Sequence, residues 1–142
     1  MFGRETLPDG STRLTSERAS FTFTRPRPGV FLVRITGYDN GEFGDAPFDA
    51  MQAELNRFKR VELFVDTREV FGAATPVREA WTEWLKLHAS ELARAHLVSG
   101  SKFVFMALTV AKELSRTGDL IRVYSDPAAF DDALARAAAA RP

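Results

Sequence analysis

The sequence predicts a single α/β domain built on a mixed, mostly parallel sheet, and three observations carry that prediction. Val61-Glu62-Leu63-Phe64-Val65 is an almost continuously apolar run, rich in β-branched residues and bounded by charge. Such a run reads as a strand covered on both faces. Upstream, two strand-like runs are separated only by Pro26-Arg27-Pro28-Gly29, which predicts an antiparallel hairpin. Downstream, apolar strand runs alternate with segments of helical period, the pattern of strand–helix–strand units. The predicted order is β-β-α-β-α-β-α-β-α, a mostly parallel mixed sheet with an antiparallel edge hairpin and packed helices. Right-handed crossovers leave few alternatives to this topology.

Residues 1–19 are mostly polar and are interrupted by the turn sequence Leu7-Pro8-Asp9-Gly10. They predict a loosely attached arm with a short strand near Thr12–Leu14, ahead of a domain spanning residues 20–142. Ser20 to Arg25 alternates aromatic and polar residues, so Phe21 and Phe23 face inward from a half-buried strand. Val30 to Thr36 is a second, more buried strand. A glycine-rich loop, Gly37 to Gly44, leads to Asp45 as N-cap and Pro47 in the first turn of a helix. Phe48, Met51, Leu55 and Phe58 form its apolar stripe, and it ends near Lys59-Arg60.

The central strand, Val61–Val65, follows, with Asp66-Thr67-Arg68 at its carboxyl end. Open α/β sheets place their binding crevice at such ends. Thr75 as N-cap and Pro76 as the next residue start a second helix. Its face comprises Val77, Trp81, Trp84, Leu85 and His88, and the spacing continues to Leu92. A short strand at Ala95–Val98 and the turn Ser99-Gly100-Ser101-Lys102 precede a third helix, Phe103 to about Arg116. That helix is apolar around most of its circumference and must be well buried or meet a partner. Gly118 serves as its C-terminal stop. Leu120–Tyr124 is the last strand, and Asp126-Pro127 starts the last helix, which buries Phe130, Ala133, Leu134 and Ala137. Its alanine-rich tail, Arg136 to Pro142, is expected to fray.

Composition sets the outer bounds. The chain has 142 residues, 45% of them apolar and 27% charged, with 19 basic against 19 acidic. One domain with a real core fits this length. The balanced charge gives no global field for nucleic acid, and no run reaches membrane-spanning length, so neither nucleic acid nor membrane insertion is expected. Without cysteine there are no disulfides or thiolate metal sites, which suits a reducing compartment. The amino-terminal residues lack the apolar core of a signal peptide, and the cytoplasm is the expected location.

Motifs for chemistry are lacking. There is no Gly-x-Ser-x-Gly elbow, and His88 and His96 match no usual metal-ligand spacing. Asp39-Asn40-Gly41-Glu42 lacks the oxygen-ligand spacing of a calcium loop. Ser99 to Lys102 is not a P-loop, but its free N–H groups could cradle an anion. This turn, Asp66-Thr67-Arg68 and Ser125 are expected along one sheet edge, the candidate ligand or partner edge. Phe43 and Phe71, in glycine-containing loops, and Trp84 are candidate interface aromatics. No catalytic residue, metal ligand or cofactor is assigned.

Two stretches carry a family resemblance. Val61-Glu62-Leu63-Phe64-Val65-Asp66 looks like a central strand ending in Asp. Ile121-Arg122-Val123-Tyr124-Ser125-Asp126-Pro127, followed by the Ala133-Leu134 pair, looks like a strand, a short turn and an acidic-capped helix. With the element order, residues 20–137 resemble the STAS domain and its SpoIIAA-like (STAS/SEC14-like) relatives. The resemblance implies a non-enzymatic regulatory domain. In anti-sigma-factor antagonists a Ser or Thr just after the central strand is phosphorylated, typically within Asp-Ser-Ser-Gly. Here that region reads Gly72-Ala73-Ala74-Thr75-Pro76, so the motif is absent and Thr75 alone is the candidate phosphoacceptor. Members of the wider group bind proteins, nucleotides or lipids. The expectation is a module acting by protein–protein contact, self-associating as a homodimer. The alternative is a carrier or sensor for a small anionic or lipid-like ligand.

Overall fold

The computed structural model describes residues 2–139. Its strands are β1 (Gly3–Thr6), β2 (Thr12–Thr15), β3 (Ala19–Arg27), β4 (Val30–Asp39), β5 (Val61–Ala73), β6 (Leu92–Ser99) and β7 (Ile121–Tyr124). Its α-helices are α1 (Ala46–Arg57), α2 (Thr75–His88), α3 (Lys102–Ser115) and α4 (Pro127–Ala139). The final residues of the tail expected to fray, 140–142, lie outside the described part. All seven strands form one sheet in chain order; β1 to β4 pair antiparallel, and β4 to β7 pair parallel.

Parallel strands laid down in sequence, with crossovers of one hand, put every connecting helix on the same face. The larger core lies there, where Met51 and Leu55 of α1 and Trp84 and Leu85 of α2 meet Phe21, Val33, Leu63, Val65 and Leu97. α4 comes after the last strand and packs on the opposite face. It forms a smaller core in which Phe130 and Ala137 meet Leu32, Phe64, Val98 and Tyr124. Period-2 alternation explains the division. Val61, Leu63 and Val65 point to the first core, and Phe64 to the second. Each such side chain contributes about 1.5–3 kcal/mol when fully buried.

Several expectations are corrected. The amino-terminal arm is not loose, because residues 3–15 extend the sheet by two antiparallel strands. Leu14 is buried opposite Phe21, and the Ser11 and Thr24 hydroxyls lie 2.9 Å apart. β5 does not stop at Val65 but continues to Ala73, so Asp66-Thr67-Arg68 lies within the strand and Phe71 is on a strand, not a loop. A register shift at Arg34/Thr36 lets the polar segment stay paired with β4.

The caps shift as well. Ala74, not Thr75, is the N-cap of α2, because its carbonyl accepts from both Val77 and Arg78 N–H. Thr75 Oγ1 instead accepts from the Arg78 guanidinium at 2.9 Å. Asp45 precedes α1 without a side-chain cap bond. Ser101 does cap α3, accepting from Val104 N–H at 3.2 Å. α3 ends on Arg116 in the left-handed conformation rather than on Gly118.

Candidate functional site

Between the sheet and the α2–α3 pair lies a cavity of about 110 Å³. Val65 and Val70 form its floor, with Val77, Trp81 and Leu85 on one wall and Val104 and Leu108 on the other. Four side chains with polar atoms border it: Asp39, Thr67, Arg78 and, through its indole N–H, Trp81. The Thr67 hydroxyl is already spent, donating to the Val98 carbonyl at 2.5 Å. Arg78 and Phe103 are the exposed members of the lining, so the cavity opens beside them.

Asp39 is buried at the end of β4, where one oxygen accepts from Gly41 N–H at 2.9 Å. Burial pushes its carboxyl pKa up, and the Glu42 carboxylate adds to that, against the Gly41 hydrogen bond. A group whose folded pKa is raised contributes stability below its unfolded value and loses it as pH rises through the folded one. Asp39→Asn keeps an acceptor for Gly41 and removes the charge. It is expected to raise the thermal midpoint at pH 7 by a few degrees; an unchanged or lower midpoint would count against this reading.

α3 buries little of its surface. Val104 and Ser115 are its buried residues, while Phe103, Met106, Val110 and Leu114 are 65%, 66%, 55% and 63% exposed. These four form a row along the helix. A groove of about 670 Å³ runs between this row and Thr75, Arg78, Glu79, Thr82 and Glu83 of α2.

The opposite face holds two polar clusters; sequence reasoning singled out Asp66 and Arg68 of the first but missed their partners Arg34 and Asp131, and it missed the second altogether. Asp66 accepts from Arg34 Nε at 3.2 Å, from Arg68 Nη2 at 2.8 Å and from Arg68 N–H at 3.0 Å. Arg68 also reaches Asp131 of α4 at 3.0 Å. Burial pushes the Asp66 carboxyl up, but these hydrogen bonds outweigh it and hold the group below its ordinary value. Nearer the amino ends of the strands, His96 Nε2 lies 2.7 Å from Glu62 Oε2 and Nδ1 lies 2.8 Å from the Tyr124 hydroxyl. The ring stacks on Phe64 at 4.2 Å. The signal was period 2, which puts Glu62, Phe64 and Asp66 on one face of β5 with His96 beside Phe64 on β6.

Burial holds the His96 pKa below its ordinary value despite Glu62. A histidine kept neutral by folding contributes fully above its unfolded pKa of about 6.5, and the contribution is lost as pH falls toward the folded value. Unfolding free energy should therefore drop between about pH 7.5 and 5.5, above the carboxylate range. Chemical denaturation across that window tests this. The drop should shrink in His96→Gln, and an equal drop in the variant would sink the assignment.

The predicted ligand edge does not form one site. Asp66 and Arg68 lie on the α4 face, while Thr67 borders the cavity on the other. Ser99 is buried beside Thr67, Ser101 is consumed as a cap, and Lys102 and Ser125 are exposed. Two interface candidates are also corrected. Phe43 is buried against Phe2 and Phe21, and Trp84 is buried under Phe48, so neither presents a surface. Phe71, by contrast, is 81% exposed. Among the described residues no helix is long and apolar enough to cross a membrane, and no group of three or more His, Cys, Asp or Glu is placed to hold a metal ion.

No protein-family model and no curated protein matches the chain. Solved structures do match in fold. One is an uncharacterized protein of the DUF3478 family with a SpoIIAA-like fold from Shewanella loihica PV-4, 15% identical, with a TM-score of 0.61, covering 84% of this chain and 98% of that one. Another is an anti-sigma factor antagonist from Mycobacterium paratuberculosis, 14% identical, with a TM-score of 0.55, covering 92% and 99%. A third is the anti-sigma factor antagonist SpoIIAA in its unphosphorylated form, 11% identical, with a TM-score of 0.52, covering 80% and 95%. The chain has the SpoIIAA-like fold of the STAS domains.

Proposed function

We propose that the chain is a non-enzymatic regulatory module that works by protein–protein contact, and that a second copy of itself occupies the outer face of α3. The row Phe103, Met106, Val110 and Leu114 carries this reading. Large apolar side chains exposed in one continuous row mark an interaction surface. A straight row on one helix is also self-complementary about a twofold axis. Two proteins of similar fold are named as antagonists of an anti-sigma factor, which supports a protein partner. Thr75 suits the candidate phosphoacceptor role because it is exposed in the groove beside that row. A phosphate there would add about 1.5–2 negative charges within reach of Arg78. The cytoplasm is the location this reading assigns.

Native mass spectrometry and sedimentation test the proposal. The wild type is expected as a dimer, and Met106→Glu as a monomer that keeps its native circular dichroism but loses the part of the thermal midpoint that dimerisation supplies. A wild type that stays monomeric over a wide concentration range and captures no protein would overturn it. The cavity favours a second reading, in which the module carries or senses a small anionic or lipid-like ligand with an apolar part between the sheet and α2–α3. A stoichiometric copurified mass would support it.

A further inference from the structure

We infer that a cleft between the amino-terminal strands and α1 binds a small, flat carboxylate, its charge held by Arg4 and Thr12 and its ring laid over Phe23 and Phe31. The place is separate from the α3 row and from the α2–α3 cavity, so the inference depends on neither reading above.

The cleft measures about 210 Å³. A cavity of about 150 Å³ takes benzene, so one ring with a carboxylate has room here. β1 and β2 form one side of it. α1 forms the other, where Ala46 and Ala50, one turn apart, leave space that larger side chains would fill. Phe23 and Phe31, stacked with centroids 6.0 Å apart, give an apolar floor. Charge decides the rest. Glu54 is the one acid in the lining; it is buried, and both its oxygens accept from Arg25, Oε2 from Nε at 3.0 Å and Oε1 from Nη2. That pair cancels, and Arg4 is the remaining charge in the lining. Arg4 is exposed, and among the described residues it has no carboxylate partner. Arg4 is paired with Leu14, and Thr12 lies one pleat along β2, so the two are diagonal neighbours on the face that lines the cleft. A guanidinium fork beside a hydroxyl donor matches the two oxygens of a carboxylate. Arg25 lies one pleat beyond Phe23 on β3, so the neutral pair closes the far end and the ring lies between. A wholly apolar ligand would take water from Arg4 and Thr12 without replacing it, and a cation would be repelled by Arg4.

The test is an NMR titration of the full chain with benzoate, benzamide and benzamidinium, three probes of similar shape and different charge. Benzoate should shift the amides of Arg4, Thr12, Ala46 and Ala50 saturably. It should bind about fivefold tighter than benzamide, the range an exposed ion pair supplies, and the margin should shrink with salt. Benzamidinium should bind weakest. Arg4→Gln, on an exposed edge strand, should make benzoate and benzamide equal by weakening benzoate, and Arg4→Lys should restore part of the margin. Ala50→Phe, which fills the cleft, should abolish binding of all three with native circular dichroism retained; the Arg4 variants decide the matter if that one does not fold. Equal wild-type binding of benzoate and benzamide, a preference unmoved by Arg4→Gln, or no saturable shift at these four residues would overturn the inference.

Discussion

Phe64→Ala is expected to cost about 3–5 kcal/mol, a large share of the 5–15 kcal/mol by which a domain of this size is stable. Phe64 is wholly buried in the amino-terminal half of β5, on the face that α4 covers. One side of its ring stacks on His96, and its edge region meets Phe130 at 5.6 Å in a T-shaped contact. The core on this face is small and has few other large side chains to collapse into the space. The loss should therefore be local before it is global. Hydrogen exchange should speed up in residues 127–139 well before it does in α1, whose core lies on the other face. A cost below about 2 kcal/mol, or exchange that rises equally in α1 and α4, would refute the two-core description.

Gly37→Ala is expected to be comparably damaging for a different reason, at about 3 kcal/mol or more. Gly37 has φ +85°, and a Cβ there would lie 1.8 Å from the Arg18 carbonyl oxygen and 2.9 Å from Ala19 Cα. The obstruction is backbone, so no side chain can rotate away. The left-handed conformation alone costs an L-residue about 1–2 kcal/mol. Relieving the overlap also separates β4 from the start of β3, where Tyr38 N–H donates to Arg18 O at 3.0 Å. Chemical denaturation of the variant gives the value. A cost near that of an exposed glycine-to-alanine change, under about 1 kcal/mol, would show that the strands part without penalty.

The parts of this fold legible in the sequence were those set by one-dimensional periodicity. The apolar run at Val61–Val65, the alternation at Phe21 and Phe23 and the stripe of α1 each report a face directly. What was not legible depended on pairing across the chain. Asp66-Thr67-Arg68-Glu69 is too polar to read as a sheet interior, and it remains strand because Arg34 and Asp131 supply the countercharges. The amino-terminal strands were hidden for a similar reason, since Leu14 is the one residue of β1 and β2 that is buried. Phe43 looked like a loop aromatic because its neighbours, Phe2 and Phe21, are distant in sequence.

The candidate site shows the same limit. Sequence order placed Asp66, Thr67 and Arg68 together, but consecutive strand residues point to opposite faces, so the sheet separates them. The cavity draws its wall from β3, β4, β5, β6, α2 and α3, and no local pattern announces such a meeting. The apolar circumference of α3 was visible, and with it the alternatives of burial or partnership. The exposed row at Phe103, Met106, Val110 and Leu114 resolves that choice in favour of a surface.

The strand order has a consequence for how the chain reaches this state. Every strand pairs only with the strands before and after it in sequence, so the antiparallel pairs close over short turns while each parallel pair closes over a whole helical crossover and costs more chain entropy. The local antiparallel pairs should therefore form ahead of the parallel ones, whose distant pairings are slow to close. The order also permits assembly in the direction of synthesis, with each strand adding to an edge already formed by its predecessor. α4 is the exception, since it returns to β5 and β6 and fastens Phe64 last. A nascent chain lacking α4 would show chaperones the apolar side of Phe64, Val98 and Tyr124, and release would await those final residues.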